Sequence, residues 1–218
     1  MDGIYRMCEW IARFSVTNIL WVFFNLPIVF LLVNILFVEK TDYLMVLSTP
    51  LVVLFPFLFF PATAAMFASA RDWVINEENT SIRKFWSYYR ESYKKSILGG
   101  LILTAIWIIW GIDYYYFSQE SIVLTFFFLG LGVVLFVFTI NFFSVLSHYE
   151  MSLKHILKNA FMITVGSPML FFTILISTGI LLYMSLTAFE FLLFFFTGSL
   201  ISYLSFSAFY RFYLKVTS

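Results

Sequence analysis

Charged side chains are scarce in this sequence. Asp, Glu, Lys and Arg make up 11% of its 218 residues, where soluble domains carry about 25%. A chain of this length with so little charge cannot cover a soluble surface. Cysteine is nearly absent too: the lone Cys8 excludes an internal disulfide and reads as a small apolar residue. His148 and His155 stand seven apart rather than four, with no Cys or carboxylate cluster to join them, so no metal site is expected. Gly-x-Ser-x-Gly, a phosphate loop and paired catalytic carboxylates are all missing, so no catalytic residues, no cofactor and no enzyme activity are expected. No Asp, Glu, Lys, Arg or His falls well inside an apolar run. That counts against ion-coupled transport and proton relays, whose coupling charge sits at depth.

What fills the chain is apolar and aromatic. Hydrophobic residues reach 62%, and apolar runs of eighteen or more, with Asp113 and Glu190 near the ends of two of them as their only charges, recur at about 17–38, 49–70, 97–117, 122–147, 160–184 and 188–209. The expected fold is therefore an all-α integral membrane protein, six transmembrane helices forming a single domain over 1–218. Many Trp and Tyr fall at the ends of these runs, as interfacial belts require. With both termini cytoplasmic, twelve of the thirteen Lys and Arg lie inside and only Lys40 outside, as the positive-inside rule asks. A re-entrant second segment with the N-terminus outside would give a split of 11 to 2, so length arbitrates. Residues 50–70 reach about 31 Å at 1.5 Å each, close to the ~30 Å hydrocarbon thickness, and favour a true span.

That second run, "TPLVVLFPFLFFPATAAMFA", breaks its own pattern with three prolines. Pro50 after Thr49 suits a helix start, whereas Pro56 and Pro61 sit inside and free the carbonyls of Val52 and Phe57. Such kinks survive in lipid only where neighbours satisfy the freed groups. Thr63, Ala64, Ala65, Ala68 and Ser69 would let another helix approach closely, so a bent, centrally packed helix is expected. Pro27 and Pro168 imply milder bends in the first and fifth spans. Asn18, Asn25 and Asn141 are polar at depth. They either bond neighbouring helices or line a path for a neutral solute.

Three amphipathic segments are expected to lie on the cytoplasmic surface, at about 3–15, 82–95 and 149–158. In the first, Ile4, Met7, Cys8, Ile11 and Phe14 share a face opposite Arg6, Glu9 and Arg13. The charges among its apolar residues, with no small-x-small cleavage site nearby, argue against a cleaved signal. In the second, Ile82, Phe85, Trp86, Tyr89 and Tyr93 make an apolar stripe, Arg83, Lys84, Arg90 and Lys94 lie elsewhere on the helix, and Ser81 is the N-cap. Such a helix can rest on anionic lipid, dock a partner, or simply link two spans. Nucleic acid is excluded by the shortness of the basic face. Overlaid at an offset of sixty, Ser87, Tyr89, Ser92 and Lys94 match Ser147, Tyr149, Ser152 and Lys154, which suggests a repeated hairpin. Glu39, Asp42, Asp113, Glu120 and Glu190, near Tyr43, Trp110 and Tyr114–Tyr116, read as an outer interfacial belt.

The stretches "YRMCEWIARFSVTNILWVFFNLPIVF", "FFPATAAMFASARDW" and "FWSYYRESYKKSILG" resemble the YesL family of bacterial membrane proteins. The resemblance implies a polytopic protein of the cytoplasmic membrane, commonly found among carbohydrate-uptake genes, with no functional residues to carry over. The functional expectation is a non-enzymatic accessory or partner of a carbohydrate transport system, with the 82–95 stripe as contact surface for lipid or a transport complex. The alternative is a transporter or channel for a neutral solute.

Overall fold

The computed structural model describes the backbone of residues 2–37, 41–76 and 81–217, and the side chains of all of these except 2 and 41–45. Glu39 and Lys40, and the side chains of Asp42 and Tyr43, thus lie outside the described residues. The chain runs α1 (Asp2–Phe24), α2 (Leu26–Leu36), α3 (Thr41–Leu54), a π-turn (Phe55–Phe59), α4 (Phe60–Ile75), α5 (Ile82–Glu120), α6 (Ile122–His148), α7 (Leu153–Gly166), α8 (Pro168–Thr187), α9 (Phe191–Phe195) and α10 (Thr197–Thr217). No strand occurs among the described residues.

Among the described residues, four helices are long and apolar enough to cross a membrane: Val46–Ile75, Ile82–Glu120, Ile122–His148 and Pro168–Thr187. Counting α1 and α2 as one bent span gives a fifth. Six uninterrupted spans are not what forms. The first run, 17–38, is divided at Asn25, where α1 and α2 meet at 77°. Pro27 has no N–H to bond the Phe23 carbonyl, and the Asn25 amide folds back to donate to the Trp21 carbonyl at 2.8 Å. The segment 3–15 is therefore no separate interfacial helix but the first half of α1. The fifth run, 160–184, breaks at Ser167, so Pro168 opens a new helix rather than bending one, and the expected helix 149–158 starts at Leu153 and runs on to Gly166. The last run, 188–209, is cut at Phe196.

The second run forms one helix over Val46–Ile75. Its 30 residues reach about 45 Å, more than enough for a ~30 Å hydrocarbon layer. Pro50 lies within it rather than at its start, which is Thr41. Around Pro56 the helix widens into the π-turn, and Phe60 N–H bonds the Phe55 carbonyl five residues back. The extra residue in the turn gives Pro61 room against the carbonyl of Phe57.

Burial is inverted relative to a soluble protein. Leu36, Phe37, Met169, Ile122 and Val123 all point outward, while Thr17, Asn18, Ser69, Asn141, Ser199 and Ser202 are buried. Only a hydrocarbon solvent makes that arrangement favourable, and this is a membrane protein. Its centre is α4, where every residue from Phe60 to Ala70 is buried against α5, α6, α10 and α1. Small residues permit this: a Cβ on Gly100 of α5 would lie 2.7 Å from the Phe60 ring.

Helices are tied across this core by side-chain hydrogen bonds. Trp21 Nε1 donates to Thr63 Oγ1 at 3.0 Å, Trp107 Nε1 to Thr139 Oγ1 at 3.2 Å, and Ser185 Oγ meets Thr197 Oγ1 at 2.6 Å. Asn18, 0% exposed, spans the break between α9 and α10. Its Nδ2 donates to the carbonyls of Leu193 at 3.0 Å and Phe194 at 2.7 Å, and its Oδ1 accepts from Ser199 N–H at 3.0 Å. Those are groups the broken helix leaves unpaired. Gly198 makes the room, since a Cβ there would fall 2.9 Å from Asn18 Oδ1.

Asn18→Leu, which keeps the volume and removes these bonds, is expected to lower stability by about 2–4 kcal/mol in detergent unfolding. Asn34→Leu, at an exposed position bonded only to the Phe30 carbonyl within its own helix, should stay within about 0.5 kcal/mol of the parent. Equal effects at the two positions would contradict the role assigned to Asn18.

Candidate functional site

The amphipathic segment 82–95 is not an independent surface helix. It is the first third of α5, a single helix of 39 residues that Ser81 opens by accepting from Lys84 N–H at 3.3 Å. At about 58 Å this helix exceeds the hydrocarbon thickness and extends beyond it. Nor is its aromatic stripe wholly free. Phe85 is 0% exposed, and Tyr89 is buried with it against Ala62, Ala65 and Met66. Phe24, at the end of α1, stacks on Tyr89 at 4.6 Å and on Trp86 at 5.5 Å. The expected contact face therefore divides: Phe85 and Tyr89 hold the fold, whereas Ile82, Trp86 and Tyr93 stay exposed beside Arg83, Arg90 and Lys94, with Lys84 half-buried. The proposed repeat also fails here. Residues 87–94 lie within a continuous helix, while 149–152 form the break between α6 and α7.

The asparagines expected to line a polar path are engaged elsewhere. Asn18 bridges α9 and α10, Asn25 binds its own helix, and Asn141 Nδ2 donates to Thr164 Oγ1 of α7 at 2.9 Å. Asn25 and Asn141 each keep a buried Oδ1 without a partner among the described residues.

A polar cluster that the sequence did not single out lies where α4, α5 and α6 converge. The small-residue run ends at Ala70 and the charged "RDW" that follows looks like flank, yet α4 continues to Ile75 and carries Asp72 inward, 5% exposed. Tyr88 of α5 donates its hydroxyl to Asp72 Oδ2. Arg71 pairs with Asp72 Oδ1 at 3.2 Å, donates to the Ser147 carbonyl at 2.7 Å, and lies 5.8 Å over the Tyr88 ring. A guanidinium on the last turn of α6 satisfies a carbonyl the helix leaves open and complements its dipole. Ala64, Ala68, Glu91, Lys95, His148 and Glu150 join Arg71, Tyr88 and Ser147 around a cavity of about 160 Å³. Behind it the His148 ring is boxed by Tyr149, Phe206, Phe209, Tyr210 and Tyr213, the nearest at 4.6 Å. Burial first, and the Tyr213 phenol second, push the Tyr149 phenol above its ordinary value, so it stays a neutral donor near pH 7. The cluster is a clasp that fixes three helices, and its Asp72–Tyr88 bond joins residues sixteen apart in the chain.

Fold and site define a helical membrane protein in which several buried polar side chains, among them Asn18, Asp72 and Asn141, tie helices together. Residues 14–114 match the family described as protein of unknown function, DUF624. The chain is similar to the uncharacterized protein YteU of Bacillus subtilis (strain 168), 29% identical over 99% of this chain and 87% of that one. To the uncharacterized protein YesL of the same organism it is 29% identical over 95% of this chain and 90% of that one. The uncharacterized protein YesV is 26% identical over 85% and 80%. The match to DUF624 thus covers residues 14–114, and the similarity to YesL runs along almost the whole chain, so the resemblance read from its first hundred residues extends across the later helices. No solved structure matches it.

Tyr88→Phe strips the buried Asp72 of a donor without changing shape and is expected to cost about 1–3 kcal/mol in unfolding experiments in mild detergent. Tyr93→Phe, on the exposed side of the same helix, should cost less than about 0.5 kcal/mol. Matching stabilities for the two variants would remove the clasp from this account.

Proposed function

We propose that the chain is a multi-pass protein of the cytoplasmic membrane, both termini cytosolic, that acts without catalysis of its own as an accessory or partner of a membrane transport system. Six crossings follow if α1 with α2 and α9 with α10 each cross once as broken helices. Twelve of the thirteen Lys and Arg then face the cytosol. A carbohydrate as the transported substrate follows from the YesL resemblance alone.

The observation that carries the reading is the interior itself. Where a solute would have to pass, α4 presents eleven consecutive buried residues, Phe60–Ala70, and the amides of Asn18 and Asn141 are bound to neighbouring helices. A packed centre suits a scaffold better than a carrier, which needs polar groups free to meet its solute. The contact surface is the exposed part of the α5 stripe, Ile82, Trp86 and Tyr93, rimmed by Arg83, Arg90 and Lys94. Aromatic and arginine side chains of this kind are those that dominate protein interfaces.

A photoreactive benzoylphenylalanine at Trp86 or Arg90, irradiated in cells, is expected to capture a transport ATPase or permease subunit. The same probe at Val123, an exposed residue of α6, should capture lipid. Lipid adducts alone at all three positions would overturn the partner role.

A further inference from the structure

The polar face of α1 turns inward. Ile4, Met7 and Ile11 are exposed, whereas Trp10 and Phe14 pack on Trp73 and Tyr203. Helices in water do the reverse. Glu9 and Arg13 are thereby half-buried against the bundle, and with the exposed Arg6 and Arg211 of α10 they line a cavity of about 640 Å³ walled by Trp10, Trp73, Tyr203 and Tyr210. That volume is in the range of small-molecule sites. Three guanidiniums and one carboxylate leave it with two net positive charges. Arg13, its side chain 10% exposed, pairs with Glu9 at 2.7 Å and sits 4.9 Å from the Trp10 ring. Arg6 and Arg211 stand at the mouth and have no ion pair among the described residues.

We propose that this cavity is a binding site for a phosphate-bearing anion. Guanidinium forks match phosphate oxygens two at a time and tolerate partial desolvation better than ammonium groups do. The indole and phenol walls offer stacking surface to whatever ring or glycerol body carries the phosphate. The two exposed guanidiniums at the rim, Arg6 and Arg211, add attraction for an anion entering the cavity. The phosphate belongs either to an anionic lipid headgroup or to a soluble phosphate ester. The site is independent of the partner role proposed above.

Full-length protein in phosphatidylcholine nanodiscs distinguishes the two sources. Phosphatidylglycerol is titrated in and its retention read by native mass spectrometry; in a separate arm inorganic phosphate is titrated and binding read by calorimetry. In one arm or the other, Arg6→Gln with Arg211→Gln should bind about tenfold more weakly than wild type. Lys154→Gln with Lys158→Gln, which removes the same charge from exposed positions outside the cavity, should leave binding unchanged. An effect in the lipid arm assigns a headgroup, and one in the phosphate arm a soluble ester. If the glutamine pair does not fold, Arg6→Lys with Arg211→Lys, which keeps the charge and loses the fork, is read in the same way. Equal binding by the cavity variants and the Lys154/Lys158 variant in both arms would overturn the proposal.

Discussion

A peptide group that loses its helical partner inside hydrocarbon finds no water to replace it, and each such group costs several kcal/mol. This molecule interrupts its helices at Asn25, Ser167 and Phe196 and widens one at Phe55–Phe59, so its stability depends on how those groups are satisfied. Asn18 answers for the break at Phe196 by offering its amide to two carbonyls and one N–H. At the first break the Asn25 backbone bonds both ways, its N–H to the Trp21 and Val22 carbonyls and its carbonyl to Val29 N–H. At Pro56 the π-turn itself re-pairs the backbone.

Everything packed around α4 follows from that satisfaction. With the breaks closed, α1 and α10 can lie against a helix whose small residues leave room for them, and Phe60 and Phe67 meet Phe143 of α6 at 5.4 and 5.5 Å. Hydrophobicity does not order these helices, because lipid is as apolar as they are. Close fit and buried hydrogen bonds do. Trp21 on Thr63, Trp107 on Thr139 and the Arg71–Asp72–Tyr88 clasp are three instances of one device, in which a polar atom with nowhere else to go fixes a pair of helices.

The membrane class and the central place of the second run were legible in the sequence, because composition and small-residue spacing are local properties. So was the start of α5 at Ser81, a cap that works within four residues. The breaks were not legible. Residues 17–38 and 188–209 each read as one apolar run, and the partner that lets the latter break at Phe196 is Asn18, more than 170 residues away. Nothing local in the sequence shows that α4 carries Asp72 inward. Likewise the 82–95 stripe gave its apolar face correctly but not what covers it: half of that face meets Phe24 at the end of α1, a contact no periodicity encodes.

The account turns on Val46–Ile75 crossing the membrane as the core of the bundle. Its most direct measurement is cysteine labelling in a Cys8→Ser background, needed because Cys8 is itself exposed. Single cysteines at Val46 and Asn76, both exposed, and at Ala62, Ala65 and Ala70, all 0% exposed, are treated with a membrane-impermeant maleimide from one side or the other. The expected result is labelling of Val46→Cys and Asn76→Cys from opposite sides, with the three alanine positions protected from both. Labelling of positions 46 and 76 from the same side would make the segment re-entrant and contradict the account.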